Sequence, residues 1–438
     1  MTDISRRTLI RQATASLTAA SYSRIMGANE TVQIAVIGVG VRGTGHVRSL
    51  SSLKGFNIIG VCDVYGKKAE AAKNNWAPNA STFSDHRKVL EMKNLDAVLI
   101  GTPDHWHVPI SMDAIGAGKD VYCEKPITLK IGEGNALRKA IEGSNRIFQS
   151  GMQQRSMSHF LQARDEYIKA GKLGKVTFVR TWWNGSVSSF VKPVPPELKS
   201  QPADLDWKRF IEPVEKSRPY HAYQYNCFRA FFDFGGGQFT DLFTHWVDAA
   251  HMLIGEDVPD MAFASGGQFI PELRNDGSGR TIPDTVNAQL HYPSDWMCTF
   301  EATMAPGINN NGLDFYGTKG RLFITRAGFQ FTPVDPNQPT GYGEGRGLAR
   351  PARSGSQTAR PPLPFPPVEP ANPDSVIVRA SAGDQHLQNF LDCIKSRKAP
   401  NATIVDGLRA AQACHLCSVS YQQGRKLRFD PVKERLVG

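Results

Sequence analysis

The apolar positions of this chain follow two rhythms. Between residues 32 and 123 they come as short runs: 32–37 (VQIAVI), 56–62 (FNIIGVC), 96–100 (DAVLI) and 120–123 (DVYC). Continuous β-branched and aliphatic runs of this length predict strands buried on both faces, as in a parallel sheet. The first ends at Gly38, the second at Asp63, the third at Gly101-Thr102-Pro103 and the fourth at Glu124. The stretches 41–53 and 109–118 have helix-compatible composition. Strands and helices alternating at this pitch predict an α/β fold with a doubly wound parallel sheet.

Beyond about residue 150 the rhythm changes. Residues 176–183 and 286–302 hold apolar and aromatic side chains in extended-looking runs, which predict a mainly antiparallel sheet. Residues 386–396 and 406–422 read as helices that close the chain. Between them and the sheet, 333–374 is rich in Pro, Gly, Ser and Arg and reads as a long surface loop or arm. The predicted division is a leader at 1–28, a nucleotide-binding domain at 29–150, and a second domain at 151–438 that carries the arm and closing helices at 384–425.

Composition refines this picture only slightly. The 438 residues are 40% hydrophobic and 21% charged, room for two or three domains. No run of about 18 apolar residues predicts a membrane-spanning helix. The formal charge is +10, from 51 basic and 41 acidic residues. The basic residues are scattered rather than gathered, which argues against a nucleic-acid surface. An anionic envelope or an acidic sugar accounts for the excess as well, and a merely soluble surface accounts for it best. Seven cysteines, odd in number and irregularly spaced, imply no disulfide framework. Cys414 and Cys417 have CxxC spacing but lie in a helical stretch without a second ligand pair.

The leader Ser5-Arg6-Arg7-Thr8-Leu9-Ile10-Arg11 resembles a twin-arginine export signal. A small-residue stretch at 13–21 follows, with Ala28 as a cleavage point. The expectation is export of the folded protein by the twin-arginine machinery to the periplasm or beyond. A basic tail on a cytoplasmic protein is the other reading.

Candidate chemistry begins at Gly38-x-Gly40-x-x-Gly43. Following a strand and opening a helix, these glycines permit a tight turn, close approach to a pyrophosphate and close helix–strand packing. Asp63, at a strand end 20 residues after Gly43, suits a ribose 2′-hydroxyl and would repel a 2′-phosphate. NAD is therefore the expected cofactor, with Arg42, Lys67 and Lys68 leaving NADP open. In Glu124-Lys125-Pro126 the proline restricts the preceding lysine to extended geometry, a way to aim an ammonium group. His105-Trp106-His107 lacks partners at metal-ligand spacing, and no metal is expected.

Four stretches together resemble the Gfo/Idh/MocA oxidoreductases, named for glucose–fructose oxidoreductase and inositol dehydrogenase. They are the glycine turn, Gly101-Thr102-Pro103-Asp104-His105-Trp106-His107, Val121-Tyr122-Cys123-Glu124-Lys125-Pro126, and the segment from Gly235-Gly236-Gly237 to Asp241 and His245. The likeness covers roughly 30–432. It implies a Rossmann domain followed by an α+β domain whose open sheet carries substrate, and dimers or tetramers formed through that sheet. It implies that Thr102, Pro103 and His107 line the cofactor beside Gly38, Gly40, Arg42, Gly43 and Asp63. Glu124 would touch the nicotinamide ribose, with Gln153 near the same end, and Lys125 would be the active-site lysine. Asp241 and His245 match the family's Asp-x-x-x-His pair.

The spacing of four puts Asp241 and His245 on one helix face. An imidazole of near-neutral pKa, oriented by the carboxylate, can take a carbinol proton as hydride leaves. Lys125 would polarise the same oxygen, and Lys125 as the base with His245 positioning stays open. Arg155, Trp182, Trp183, Tyr223, Asn226 and Arg229 suit a sugar ring and its hydroxyls.

The expected activity is NAD(P)-dependent oxidoreduction of a sugar, polyol or glycoside secondary hydroxyl. An exported protein meets little free NAD, so the cofactor is expected to be tightly bound. One alternative is an NAD-dependent glycosidase working through transient C3 oxidation and elimination; such enzymes depart from Glu-Lys-Pro, which this chain keeps. The other is a non-catalytic sugar or nucleotide sensor.

Overall fold

The computed structural model describes residues 31–185, 187–215, 217–274, 276–305, 310–334, 374–381 and 385–437. The twin-arginine-like leader lies outside the described residues, as does nearly all of the 333–374 arm. Among the described residues no helix is long and apolar enough to cross a membrane.

The first sheet is built from β1 (Val32–Ile37), β2 (Phe56–Cys62), β3 (Ser81–Phe83), β4 (Ala97–Ile100), β5 (Asp120–Cys123) and β6 (Phe148–Ser150). All its pairings are parallel, in the order β3-β2-β1-β4-β5-β6. Every residue of β4 and β5 is buried, which explains their unbroken apolar runs. One face of the sheet carries Val32, Ile34 and Val36, the other Ala35, Ile37, Val98 and Ile100. The helices α1 (Val41–Ser52), α2 (Gly66–Trp76), α3 (His86–Leu90), α4 (His107–Gly116) and α5 (Asn135–Glu142) connect successive strands or follow them. Strand order reverses between β1 and β4, and a ligand crevice forms at such a switch point, at the carboxyl ends of the strands. Gly38, Asp63, Gly101 and Glu124 each follow one of those ends.

Among the described residues the second sheet has ten strands: β7 (Val176–Asn184), β8 (Met261–Gly267), β9 (Thr285–Tyr292), β10 (Trp296–Thr303), β11 (Asn311–Gly317), β12 (Gly320–Thr325), β13 (Gly328–Pro333), β14 (Val376–Arg379), β15 (Leu427–Asp430) and β16 (Arg435–Val437). Its neighbouring strands pair antiparallel apart from β7 and β10, which run parallel. The extended run 286–302 resolves into the β9–β10 hairpin. Burial alternates along β10, as expected of a sheet with one packed and one open face. The open face carries the stacked pairs Phe178–Tyr316 and Trp182–Phe323.

Six further helices matter for the site: α6 (Trp207–Ile211), α7 (Ala222–Asn226), α8 (Gly237–Asp241), α9 (Phe243–Ile254) and the closing pair α10 (Gln385–Ser396) and α11 (Ile404–Gln423) bring the second half of the chain against the first. Helix α11 starts at a capping box, in which Thr403 and Asp406 satisfy each other's backbone N–H groups, and stops at left-handed Gly424. Helix α10, late in sequence, packs on the first sheet: Leu387, Phe390, Leu391 and Ile394 share a core with Val32, Ile34 and Tyr122.

Candidate active site

The glycine loop is held by close approach. Gly38 sits at φ +84, and a Cβ there would fall 2.5 Å from the Thr102 nitrogen. A Cβ on Gly43 would fall 1.8 Å from the Gly38 oxygen. At Gly40, by contrast, a Cβ would meet nothing, so that side of the loop faces open space. Helix α1 begins there without a side-chain cap or an acidic residue in its first turn, leaving its N-terminal dipole for an anion. Asp63 Oδ2 accepts the Val39 N–H and Oδ1 the Tyr65 N–H, both at 2.9 Å, which ties the loop to the end of β2. The Thr102 hydroxyl is buried without a hydrogen-bond partner among the described residues. These residues fit a dinucleotide: loop and helix terminus for the pyrophosphate, Asp63 for a ribose, Thr102 to meet the ligand.

The cleft is lined on one side by Gly38, Asp63, Thr102 and Pro103 and on the other by Phe210, Tyr225 and Arg229 from the second half of the chain. That second wall is strapped down. Asp204 accepts the Gly66 N–H on its backbone oxygen (3.0 Å) and the Lys67 N–H on its carboxylate (2.8 Å). The Asp206 N–H donates to the Val64 oxygen (2.8 Å), and the Trp106 indole N–H to the Phe210 oxygen (3.0 Å). Arg209 pairs with Asp85 (3.0 Å), and the Lys68 ammonium lies over the Tyr225 ring (4.5 Å). Sequence reasoning named Arg229 from this wall but missed Phe210, Tyr225 and the bonds that anchor them; the aromatic density of 207–234 is the signal that marks it.

At the far end of the cleft, beyond Arg229, stands a cluster of charges. The Lys125–Pro126 peptide is cis. Lys125 Nζ donates to the backbone oxygen of Asp241 (2.6 Å) and to its Oδ1 (2.9 Å), and Arg229 Nε donates to the same Oδ1 (3.0 Å). Burial pushes the Asp241 carboxyl up, but Lys125 and Arg229 outweigh it and hold it well below the usual carboxylate range. Asp104 is also buried here, and burial lifts its carboxyl to about 7 despite the Arg229 charge. Glu124 is likewise buried, yet Arg42 (2.8 Å) and His46 (2.6 Å) keep it well below its ordinary value. Arg42 also donates to Gln153 Oε1 (2.9 Å), joining the glycine loop to this end of the site.

His245 is buried 5.7 Å from the Trp183 ring, centroid to centroid, and its Nδ1 has no partner among the described residues. Burial, then the positive charges of Lys125 and Arg326, push the imidazole well below its ordinary pKa. The near-neutral value expected from sequence is thus corrected: His245 is a neutral imidazole, with proton-accepting capacity but low basicity. The shared helix face is corrected too. Asp241 ends α8 and His245 lies in α9, with a turn at Leu242 between, and the Asp241 carboxylate is committed to Lys125 and Arg229.

Two more expectations change. His107 does not line the cleft: it is 1% exposed, with its ring nitrogens 2.6 Å from the Pro126 oxygen and 2.9 Å from the Thr102 oxygen, so it braces the two loops. Arg155 does not face substrate: its guanidinium is spent on Asp248 and Asp406, at 2.8 and 2.9 Å. Of the other substrate candidates, Arg229 joins the cluster, Trp183 flanks His245, and Tyr223 lies half-buried on α7 with its ring 6.4 Å from His221. Trp182 turns to the open sheet face, and Asn226 donates to the Pro193 oxygen. Asp104, His46 and Arg326 are site neighbours that sequence reasoning did not single out.

Two family models match the chain. One, an oxidoreductase family with NAD-binding Rossmann fold, covers residues 32–152; the other, the GFO/IDH/MocA C-terminal domain, covers 216–323. Inositol 2-dehydrogenase of Salmonella paratyphi B is 26% identical over 151 residues, 34% of this chain and 45% of that one, so the chain spans less than half that relative's length. Levoglucosan dehydrogenase of Pseudarthrobacter phenanthrenivorans is 25% identical over 314 residues, 63% of this chain and 70% of that one. The crystal structure of myo-inositol 2-dehydrogenase from Lactobacillus plantarum matches with a TM-score of 0.62 at 22% identity, over 92% of this chain and all of that one; the likeness is one of fold.

Proposed function

The chain belongs to the Gfo/Idh/MocA family of NAD-binding oxidoreductases, and from that premise we propose that it oxidises or reduces a secondary hydroxyl of a sugar, polyol or glycoside, using a nicotinamide cofactor that it holds tightly. The observation that carries this reading is the Lys125–Asp241–Arg229 cluster beside neutral His245, at the end of a cleft built for a dinucleotide. When bound, NAD supplies the two-electron acceptor for the hydride of the carbinol carbon. The residues of the chain manage the other half of the change. His245 takes the hydroxyl proton as the C–O bond becomes a carbonyl. Lys125, held rigid by Asp241, stabilises negative charge developing on that oxygen. Asp241 pairs with both Lys125 and Arg229 and offsets part of their charge, so that neither cation is left unpaired.

Tight retention is supported by the strap from Asp204 to Glu212, which bonds across the adenosine side of the cleft. The open aromatic face of the second sheet supports a homo-oligomer, and the twin-arginine-like leader supports export. The deciding experiment mixes the purified protein with a panel of sugars and polyols and follows nicotinamide absorbance. Reduction of bound NAD by a member of the panel is expected. Release of p-nitrophenol from aryl glycosides without net reduction would replace the reading with redox-assisted hydrolysis.

A further inference from the structure

Arg326, in the turn between β12 and β13, is a half-buried cation with no counterion of its own among the described residues. Its Nε and Nη2 are buried and have no hydrogen-bond partner among the described residues. The guanidinium carbon lies 5.1 Å from the centre of the Trp183 ring and 5.8 Å from that of Trp246. Trp183 is the same ring that flanks His245. Arg326 therefore belongs to the wall beside the reacting end of the site, on the second sheet, and not to the glycine loop where a pyrophosphate belongs.

The nearby carboxylates are already engaged. Glu124 is held by Arg42 and His46, and Asp241 by Lys125 and Arg229. Burial, then the charge of Arg42, lowers the Arg326 guanidinium to about 10, although Glu124 and Asp241 act in the opposite direction. Leaving buried charged donors unmet costs more than any ordinary hydrogen bond gains. Two adjacent N–H groups of a guanidinium fork match one carboxylate in bidentate fashion, which a sugar hydroxyl does not.

Resting on the hydride-transfer reading, we propose that the substrate is an acidic sugar, an aldonate or uronate, whose carboxylate is taken by Arg326 while its carbinol meets His245 and Lys125. The positive balance of the whole chain is in keeping with an anionic substrate.

The test uses the NAD-loaded protein with D-gluconate, D-glucuronate and D-galacturonate against D-glucose, D-galactose and myo-inositol. Turnover is followed by nicotinamide absorbance, and binding by calorimetry. The acids are expected to be preferred, and Arg326→Gln to reduce the acid-over-neutral ratio of kcat/KM about 10- to 100-fold, with Arg326→Lys restoring part of it. Neutral sugars turned over as well as the acids would overturn the acidic-sugar assignment and leave hydride transfer standing. Loss of NAD affinity in Arg326→Gln with the acid preference intact would also overturn it, by moving Arg326 to the cofactor phosphates. If no compound reduces NAD, hydride transfer fails; calorimetric binding of an acid that Arg326→Gln weakens still supports the anion site, and no binding of any acid overturns it.

Discussion

Lys125 Nζ and Asp241 Oδ1 meet at 2.9 Å across 116 residues of sequence, and Arg229 donates to that same oxygen. One carboxylate oxygen thus sets the charge state of the whole cluster. Lys125→Ala is expected to lower kcat by about 100- to 10,000-fold while NAD still binds, as measured by calorimetry beside steady-state rates. Unchanged turnover would remove Lys125 from the chemistry. Asp241→Asn leaves two cations uncompensated, and urea denaturation should show a loss of roughly 3–5 kcal/mol.

His245 and Lys125 are distinguished as bases by pH. The buried imidazole is held well below its ordinary pKa, so a rate that depends on neutral His245 stays level as pH falls through about 6.5. A limb near 7 belongs to Asp104, whose carboxyl burial raises to about 7. Asp104→Asn should erase that limb in a kcat/KM profile. A limb that survives the substitution would assign it elsewhere.

The strap governs cofactor exchange. Asp204→Ala removes the carboxylate that holds the Lys67 N–H, and Tyr225→Ala removes the ring under Lys68. The double variant should release NAD about 10- to 100-fold faster, equivalent to roughly 1.4–3 kcal/mol of lost contacts. Nucleotide recovered after gel filtration and acid denaturation reports it. Equal retention by wild type and variant would mean that the glycine loop alone holds the cofactor.

Arg155 is a structural cation. Asp248 is fully buried, and with Arg155 it completes a triad that includes Asp406. Arg155→Met should lower the unfolding free energy by roughly 3–5 kcal/mol and leave the sugar KM near that of wild type. A KM rise without loss of stability would return Arg155 to the substrate.

Acid stability has a defined sign. His415 is buried on α11 with Nε2 3.0 Å from the Thr128 oxygen, and burial lowers it to about 4. Unfolded, it binds a proton below about pH 6.5; folded, not until about 4. The unfolded state therefore binds more protons between those values, and stability falls as pH drops through that window, by on the order of 3 kcal/mol in full. His415→Gln should flatten the decline in Tm between pH 7 and 4.5 relative to wild type.

The first sheet was legible because its strands are written as unbroken apolar runs, and the ligand-facing residues sit where those runs stop. Lys125, Asp241 and Arg229 were named from motif and chemistry. Their convergence on one oxygen was not readable, because it depends on α8 ending at Asp241 rather than continuing to His245. The strap was hidden for another reason: apart from the Asp204 carboxylate, its bonds to 64–67 use backbone groups, which leave no side-chain signature. Arg326 looked like an ordinary turn residue. Its packing against Trp183 and Trp246 shows only in the fold.

Helix α10 carries a consequence for how the protein is made. Phe390 stacks on Phe56 and meets Tyr122 edge-on, and Arg397 just beyond the helix pairs with Asp120 at the start of β5. A ribosome that has delivered every strand of the nucleotide-binding sheet still holds back the side chains that complete its core. That half of the molecule therefore waits, one apolar face uncovered, until translation passes residue 397. Dinucleotide capture belongs after synthesis of the closing helix, and a fragment cut after β6 would be an aggregation-prone remnant instead of a portable domain.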